Sequence, residues 1–221
     1  MEELHSAFLE AFTDYLVRMD VPLWRFETMA RRRGMVPELS LGAFQGDRLV
    51  GFLLNAVRPW GGRLTAYDTG TGVVPEFRKR GVTTRMFSET LVILGRRGVE
   101  RYLLEVIKDN EPAGDLYRRQ GFETVRDLAC YLAPMEALDV EPAPAGVTLA
   151  PVPMDALGWE RLRTFWDFEP SWQNSVDSLM AVPGTLTAVT AVADGQVVGY
   201  GIVEPATGDL PQLAVDPGWR G

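Results

Sequence analysis

Histidine, cysteine and lysine are nearly absent from this 221-residue sequence: one His, one Cys, and only Lys79 and Lys108 among its lysines. Each scarcity excludes something. A single Cys130 rules out an internal disulfide and fits a reducing compartment, so a cytoplasmic setting is expected. It sits in an apolar run, Leu128–Leu132, and reads as a core residue. One His and one Cys leave too little for a zinc-type ligand cluster, so no metal is expected. No Ser-His-Asp or Cys-His set can be built around His5, which reads as a surface helix residue. There is no apolar run of about 18 residues, so no membrane-spanning helix is expected. The acidic start, Met1–His5, has no apolar leader core.

A basic surface is also missing. The net charge is −8, and it is unevenly placed. Residues 135–221 carry 12 acids against 3 arginines, whereas residues 1–134 carry 18 acids against 19 bases. A general nucleic-acid binder needs a strongly basic face, so no nucleic-acid partner is expected. The run Arg31-Arg32-Arg33-Gly34 reads instead as a helix end, with cations in the last turn and a left-handed glycine cap.

What is present centres on Val73-Val74-Pro75-Glu76-Phe77-Arg78-Lys79-Arg80-Gly81-Val82-Thr83-Thr84. It reads as the end of a strand, a tight basic loop and the first turn of a helix. Val82, Met86, Thr90 and Leu94 then recur at helical spacing. Backbone N–H groups and arginines gathered at a helix N-terminus make a site for a phosphate-bearing ligand.

Around that loop the pattern alternates. Helices are predicted over 2–18 and from Pro22 to Arg33. Strands are predicted over Leu39–Phe44 and Arg48–Val57, joined by a turn at Gln45-Gly46-Asp47. A third strand, Arg63–Val74, is interrupted by Thr69-Gly70-Thr71-Gly72, where a bulge would bend it just before the loop. After the loop helix comes Glu100–Ile107, apolar enough for a buried parallel strand. A helix capped by Asp109 or Asn110 follows and stops at Gly121. Strands over Phe122–Val125 and Leu128–Leu132 close this unit. The Pro-rich stretch 135–145 reads as a linker. Beyond it, strands are expected at 146–152, 186–192 and 197–203, with helices over 154–168 and 173–180.

The end of the chain repeats its centre. Val215, Pro217, Trp219 and Arg220 match Val73, Pro75, Phe77 and Arg78 in order, and Gly195–Tyr200 matches Asp47–Phe52. A repeat changes the fold expected. The second copy has a leading strand that the first lacks, so strand 146–152 could pair with the first unit or with a neighbouring chain. The truncated copy would leave a sheet edge that a second copy of the chain could cover, making a homodimer.

Residues 1–134 resemble the GNAT superfamily of acyl-CoA-dependent N-acyltransferases. The resemblance rests on Arg78-Lys79-Arg80-Gly81-Val82-Thr83, on the helix bearing Asn110, Ala113 and Tyr117, and on Gly121-Phe122. The family's loop reads Gln/Arg-x-x-Gly-x-Gly/Ala; Arg78 and Gly81 match, and Thr83 departs. Its hydroxyl either crowds a pyrophosphate or donates a hydrogen bond to it. The resemblance implies an α/β fold, a mixed and mostly antiparallel sheet flanked by helices, with 146–221 as the first half of a second such domain. It implies acetyl-CoA as cosubstrate, held by Val73, Val74 and Arg78, Lys79, Arg80, Gly81, Val82, Thr83, Thr84, with Asn110 near the pantetheine arm. It also implies Tyr117 as the acid that protonates the leaving thiolate; at helical spacing Tyr117 is otherwise a core residue. Asn110 is a helix cap, a cofactor contact, or both.

Attack on the thioester needs a neutral amine. With an amine pKa near 10.4, deprotonation at pH 7 costs about 4.6 kcal/mol, so a base is needed. Asp68, on the strand before the bulge, is the first candidate and Glu105 on the facing strand the second; Asp68 as a solvated strand residue is the alternative. The expected function is acetyl transfer to a primary amine of a small molecule or peptide, by direct attack in a ternary complex. The alternative is an acyl-CoA-binding or regulatory module without activity.

Overall fold

The computed structural model describes residues 1–134, 136 and 142–220. The chain forms two compact units, Met1–Val125 and Arg126–Gly221. Much of the expected linker, residues 135 and 137–141, lies outside the described residues.

The first unit opens with two helices, α1 (Glu2–Ala11) and α2 (Leu23–Arg33). The helix predicted over 2–18 ends seven residues early. The Thr13 hydroxyl donates to the Leu9 and Glu10 carbonyls and competes with the helical ladder there. The Ala11 carbonyl is taken by Arg78. Pro22 stands one place before the first helical residue, and Gly34 closes α2 at φ 77°, as the Arg-Arg-Arg-Gly pattern predicts.

Four strands follow in spatial order β1-β2-β3-β4: β1 (Leu41–Gln45), β2 (Arg48–Trp60), β3 (Arg63–Val73) and β4 (Arg101–Leu103). The first three are antiparallel and β4 is parallel to β3. Helix α3 (Val82–Arg96) joins β3 to β4, and α4 (Glu111–Arg119) follows β4. Strand β2 is buried on both faces. Phe52 and Leu54 pack with Phe8 of α1 and Phe26 of α2; Leu53, on the opposite face, packs with Met86 and Phe87 of α3.

Two expectations fail after β3. The strand predicted over Glu100–Ile107 pairs only through Arg101–Leu103, because β3 turns away beyond Tyr67. No strand forms over 122–132; Phe122 packs on Phe87, Tyr102 and Tyr117, but the apolar residues beyond it are exposed, Tyr131 and Leu132 almost wholly. Cys130 is exposed with them, so it is not a core residue. Their apolar pattern had suggested strands, yet a strand needs a ladder partner and none is present among the described residues.

The second unit holds an antiparallel sheet of order β5-β6-β7-β8: β5 (Val147–Val152), β6 (Thr187–Ala193), β7 (Gln196–Glu204) and β8 (Asp209–Val215). Strand β5 pairs along its whole length with β6, so it does not complete the sheet of residues 41–103. The helix predicted over 154–168 is broken: only α5 (Trp159–Leu162) is α-helical, flanked by single 3-10 turns. Pro153 starts the first turn, and the chain is extended again at Leu157 and Trp166. The helix predicted over 173–180 shortens to α6 (Val176–Met180), capped by the Ser175 side chain. No helix among the described residues is long and apolar enough to cross a membrane.

The two hairpins share a detailed geometry. In β1–β2, Ala43 faces Gly51 and Phe44 faces Leu49, skipping Val50. In β6–β7, Ala191 faces Gly199 and Val192 faces Val197, skipping Val198. The freed carbonyls accept from Val74 N–H at 3.0 Å and Asp216 N–H at 2.8 Å. Arg78 Nε donates to the Val73 carbonyl at 3.1 Å, and Arg220 Nε to the Val215 carbonyl at 2.9 Å. Each guanidinium then clasps a carboxylate and a carbonyl: Asp14 and Ala11 for Arg78, Asp167 and Phe165 for Arg220.

Candidate active site

Between β3 and α3 the chain makes one 3-10 turn, Pro75–Phe77, and then the basic loop. Lys79 at φ 60° and Gly81 at φ 77° both take left-handed backbone. Left-handed residues interleaved in a turn gather successive N–H groups into an anion-binding concavity. Arg85 N–H donates to the Gly81 carbonyl and begins the helical ladder. Among the described residues, no backbone or side-chain oxygen accepts from the amides of 79–84. The N-cap of α3 is Gly81, which has no side chain to cap them. A helix start left without a cap, beside Lys79, Arg80 and Arg85, suits a phosphate.

Arg78 takes a different part from the one its motif position suggests. Its guanidinium is committed to Asp14, at 2.6 and 2.7 Å, and to the Ala11 carbonyl at 2.9 Å. That bidentate pair holds the Asp14 carboxyl below the usual carboxylate range. The side chain therefore anchors the loop to the end of α1. Arg80 lies over the Phe77 ring, with its guanidinium carbon 5.0 Å from the centroid.

The second cluster sits at the bend of β3. Leu54 faces Gly70 and Asn55 faces Asp68, so Thr69 is the extra residue of a bulge. The Asp68 carboxyl wraps that bulge, accepting from Gly70 N–H at 2.9 Å and Thr71 Oγ1 at 2.7 Å. Asp68 is buried, and burial pushes its carboxyl up to about 6, against the pull of Thr71, Gly70 and Arg33. Pairing of β3 with β4 ends at Tyr67–Leu103, one residue before Asp68. The two strands diverge there, leaving the edge of Gly72-Val73-Val74 facing the gap.

Three tyrosines surround the bend. Burial raises Tyr117, Tyr102 and Tyr67 above the ordinary tyrosine range, and the nearby charge of Asp68 adds to each. Tyr117 packs edge-on to Phe87 and Phe122, at 5.8 and 5.9 Å between centroids, so it is a core contact. The Tyr102 hydroxyl donates to Asn55 Oδ1, and Asn55 Nδ2 holds the Leu39 carbonyl at 2.6 Å. Glu105 hydrogen-bonds Tyr67 but is itself exposed, beyond the end of β4. The structure thus brings Asp68, Glu105 and Tyr117 around one bend. Asn110 caps α4 by accepting from Ala113 N–H at 3.2 Å. His5 is half-buried rather than on the surface, bonded to the Val21 carbonyl at 2.8 Å.

The sequence gives no site role to Tyr67, Tyr102 or Asn55, and reads Arg33 only as part of a helix end. Asn55 carried a signal: one amide inside the apolar run Leu53-Leu54-Asn55-Ala56-Val57. A buried amide in a strand needs specific partners, and such partners gather at sites.

The profile of the Acetyltransferase (GNAT) family matches residues 1–122. The chain belongs to that family. It is therefore an acyltransferase, the first of the two readings above. The chain is 29% identical over 123 residues to N-alpha-acetyltransferase 30 of Schizosaccharomyces pombe, covering 55% of this chain and 74% of that one. Among solved structures it is similar to a Trypanosoma brucei acetyltransferase, with 22% identity, 60% of this chain and 96% of that one, and TM-score 0.45. It is also similar to the aminoglycoside N-acetyltransferase AAC(6')-Iy in complex with CoA, with 20% identity, 43% and 75% coverage, and TM-score 0.38. Among the described residues no three His, Cys, Asp or Glu side chains gather to hold a metal ion.

Proposed function

We propose that this GNAT enzyme transfers an acetyl group from acetyl-CoA to a primary amine, by direct attack in a ternary complex. The observation that carries the reading is the pairing of uncommitted amides at 79–84 with a buried carboxyl at the β3 bend. The pyrophosphate rests on those amides, with Thr83 contributing its hydroxyl. The pantetheine arm runs along the edge of Val73 and Val74, where β3 has left β4, and passes near Asn110. The thioester then lies beside Asp68 and Tyr117.

Asp68 with a pKa of about 6 is ionised at neutral pH and is a stronger base than an ordinary aspartate. It takes a proton from the ammonium, directly or through water. The neutral nitrogen attacks the thioester carbon, and the tetrahedral intermediate collapses by breaking the C–S bond. Tyr117, protonated at neutral pH, gives its proton to the departing thiolate and takes up the second proton that the attacking nitrogen sheds, so the tyrosinate that burial disfavours does not persist. Glu105 is the second candidate base, acting through Tyr67. The N-alpha-acetyltransferase relative favours a peptide N-terminus as the acceptor. We read residues 1–134 as the GNAT domain and 146–221 as a partial second copy of it, supported by the matching clasps of Arg78 and Arg220.

The test is thiol release from acetyl-CoA across a panel of peptides with free N-termini and small amines. Turnover with a peptide is expected, and Tyr117→Phe should slow it at least about tenfold. Gly81→Ala, which strains a left-handed residue, should raise KM for acetyl-CoA. Unchanged KM would remove the loop assignment, and unchanged turnover in Tyr117→Phe would remove the acid.

A further inference from the structure

The end of α2 is built into the β3 bend. Gly34 turns the chain, Met35 makes an isolated bridge to Ala56, and Val36 N–H donates to the Asn55 carbonyl at 2.7 Å. Asn55 and Ala56 face Asp68 and Tyr67 on the adjacent strand. Residues 33–36 therefore dock on the strand pair at the level of the bulge. The bulge residue is Thr69, which the β2–β3 register skips. Its carbonyl is held by Arg33 Nη1 at 2.8 Å, across 36 residues of sequence.

We propose that Arg33 is a positioning residue of this active site: its guanidinium fixes the Thr69 carbonyl and so sets the bend that carries Asp68. The inference rests on the reading of Asp68 as the base. Arg33 ends a run of three arginines, whose first account is that they complement the helix dipole. Arg33 is distinguished by where it reaches. A bulge leaves one residue outside the ladder. A charged donor supplies the missing hydrogen bond and brings a cation beside a buried carboxyl at the same time.

The groups facing Asp68 are few. From α2 comes Arg33; from β3 itself come Tyr67, Gly70 N–H and the Thr71 hydroxyl; from β4 comes Tyr102; from α4 comes Tyr117. Glu105 acts one step away, on Tyr67. Arg33 is the cation in this set, and it acts on both Asp68 and Tyr67. Without it, burial has less to oppose it and Asp68 holds its proton to higher pH.

The experiment is a carbon-13 titration of the aspartate carboxyls in the full chain, with the Asp68 signal assigned by its loss in Asp68→Asn. Wild type should titrate near 6. Arg33→Gln should titrate about half a unit or more higher, and Arg33→Lys, which keeps the charge, nearer to wild type. An Arg33→Gln midpoint within about 0.2 units of wild type would overturn the proposal. Should Arg33→Gln fail to fold, Arg33→Met and Arg33→Lys read the same comparison, with and without the charge. The pH dependence of acetyl transfer to the best peptide of the panel separates the two readings. If Asp68→Asn retains the acidic limb, the base assignment fails; if that limb disappears but the Arg33 variants leave the titration unmoved, only the Arg33 proposal fails.

Discussion

Asp68 ties the proposed chemistry of the site to the stability of the fold. Its carboxyl is pushed up to about 6 by burial, above the 3.8 of an open aspartate. The folded chain therefore holds the proton more tightly than the unfolded chain. That contribution is complete below about pH 3.8 and is lost as pH rises through about 6, where Asp68 ionises in place. The full shift is worth about 3 kcal/mol. Asp68→Asn keeps an acceptor for Gly70 N–H without the charge, so it should be more stable than wild type at pH 8, by up to about 3 kcal/mol, with the advantage fading towards pH 4. Urea unfolding at both pH values checks this; an equal offset at the two would show that Asp68 does not titrate in the fold. Asp68 was visible in the sequence as an acid before a glycine-interrupted strand. Arg33 and Tyr102 were not, because tertiary contacts across 36 and 47 residues leave no local pattern.

At the scale of elements, the two glycines of β3 do different work. The bulge is at Thr69, and a Cβ on Gly70 would meet nothing nearer than Leu54 at 4.0 Å. A Cβ on Gly72 would stand 2.6 Å from the Phe52 ring and 3.0 Å from Ala11. Gly72 is where α1 and β2 close over the strand that leads into the basic loop. Gly72→Ala should cost about 1–3 kcal/mol, whereas Gly70→Ala should change stability by no more than about 0.5 kcal/mol. Urea midpoints for the pair check it, and equal effects would mean that the packing over Gly72 yields. Elements with their own punctuation could be read from the sequence: the Gly34 cap, the Gly46 turn, Asn110 at the start of α4. Elements that depend on a distant partner could not. Residues 104–107 and 122–132 have strand composition, yet β3 bends away from the former and no strand faces the latter. Thr13 and Arg78 together stopped α1, and only one of them is local.

At the scale of the whole chain, each unit has its own sheet and its own core. Phe8, Phe26, Phe52 and Phe87 fill the first; Phe165, Leu179, Tyr200 and Ile202 fill the second. The likeness between Val73–Arg78 and Val215–Arg220 covers hairpin register and hydrogen bonds. It does not extend to the chemistry. Five residues before Val215, in the place of Asp68, stands Leu210, and Pro211 stands in the place of Thr69. Every residue assigned here to acetyl transfer lies in the first unit. Leu179 is fully buried in the second core, so Leu179→Ala should destabilise that unit by about 2–5 kcal/mol. Well below its unfolding temperature, the variant should still bind acetyl-CoA and turn over within about twofold of wild type, since additivity holds for separated sites. Calorimetry and titration with acetyl-CoA on the same sample check both halves. A tenfold loss of affinity in a folded variant would mean that residues 146–220 contribute to the site, and the division of labour argued from Leu210 would fall.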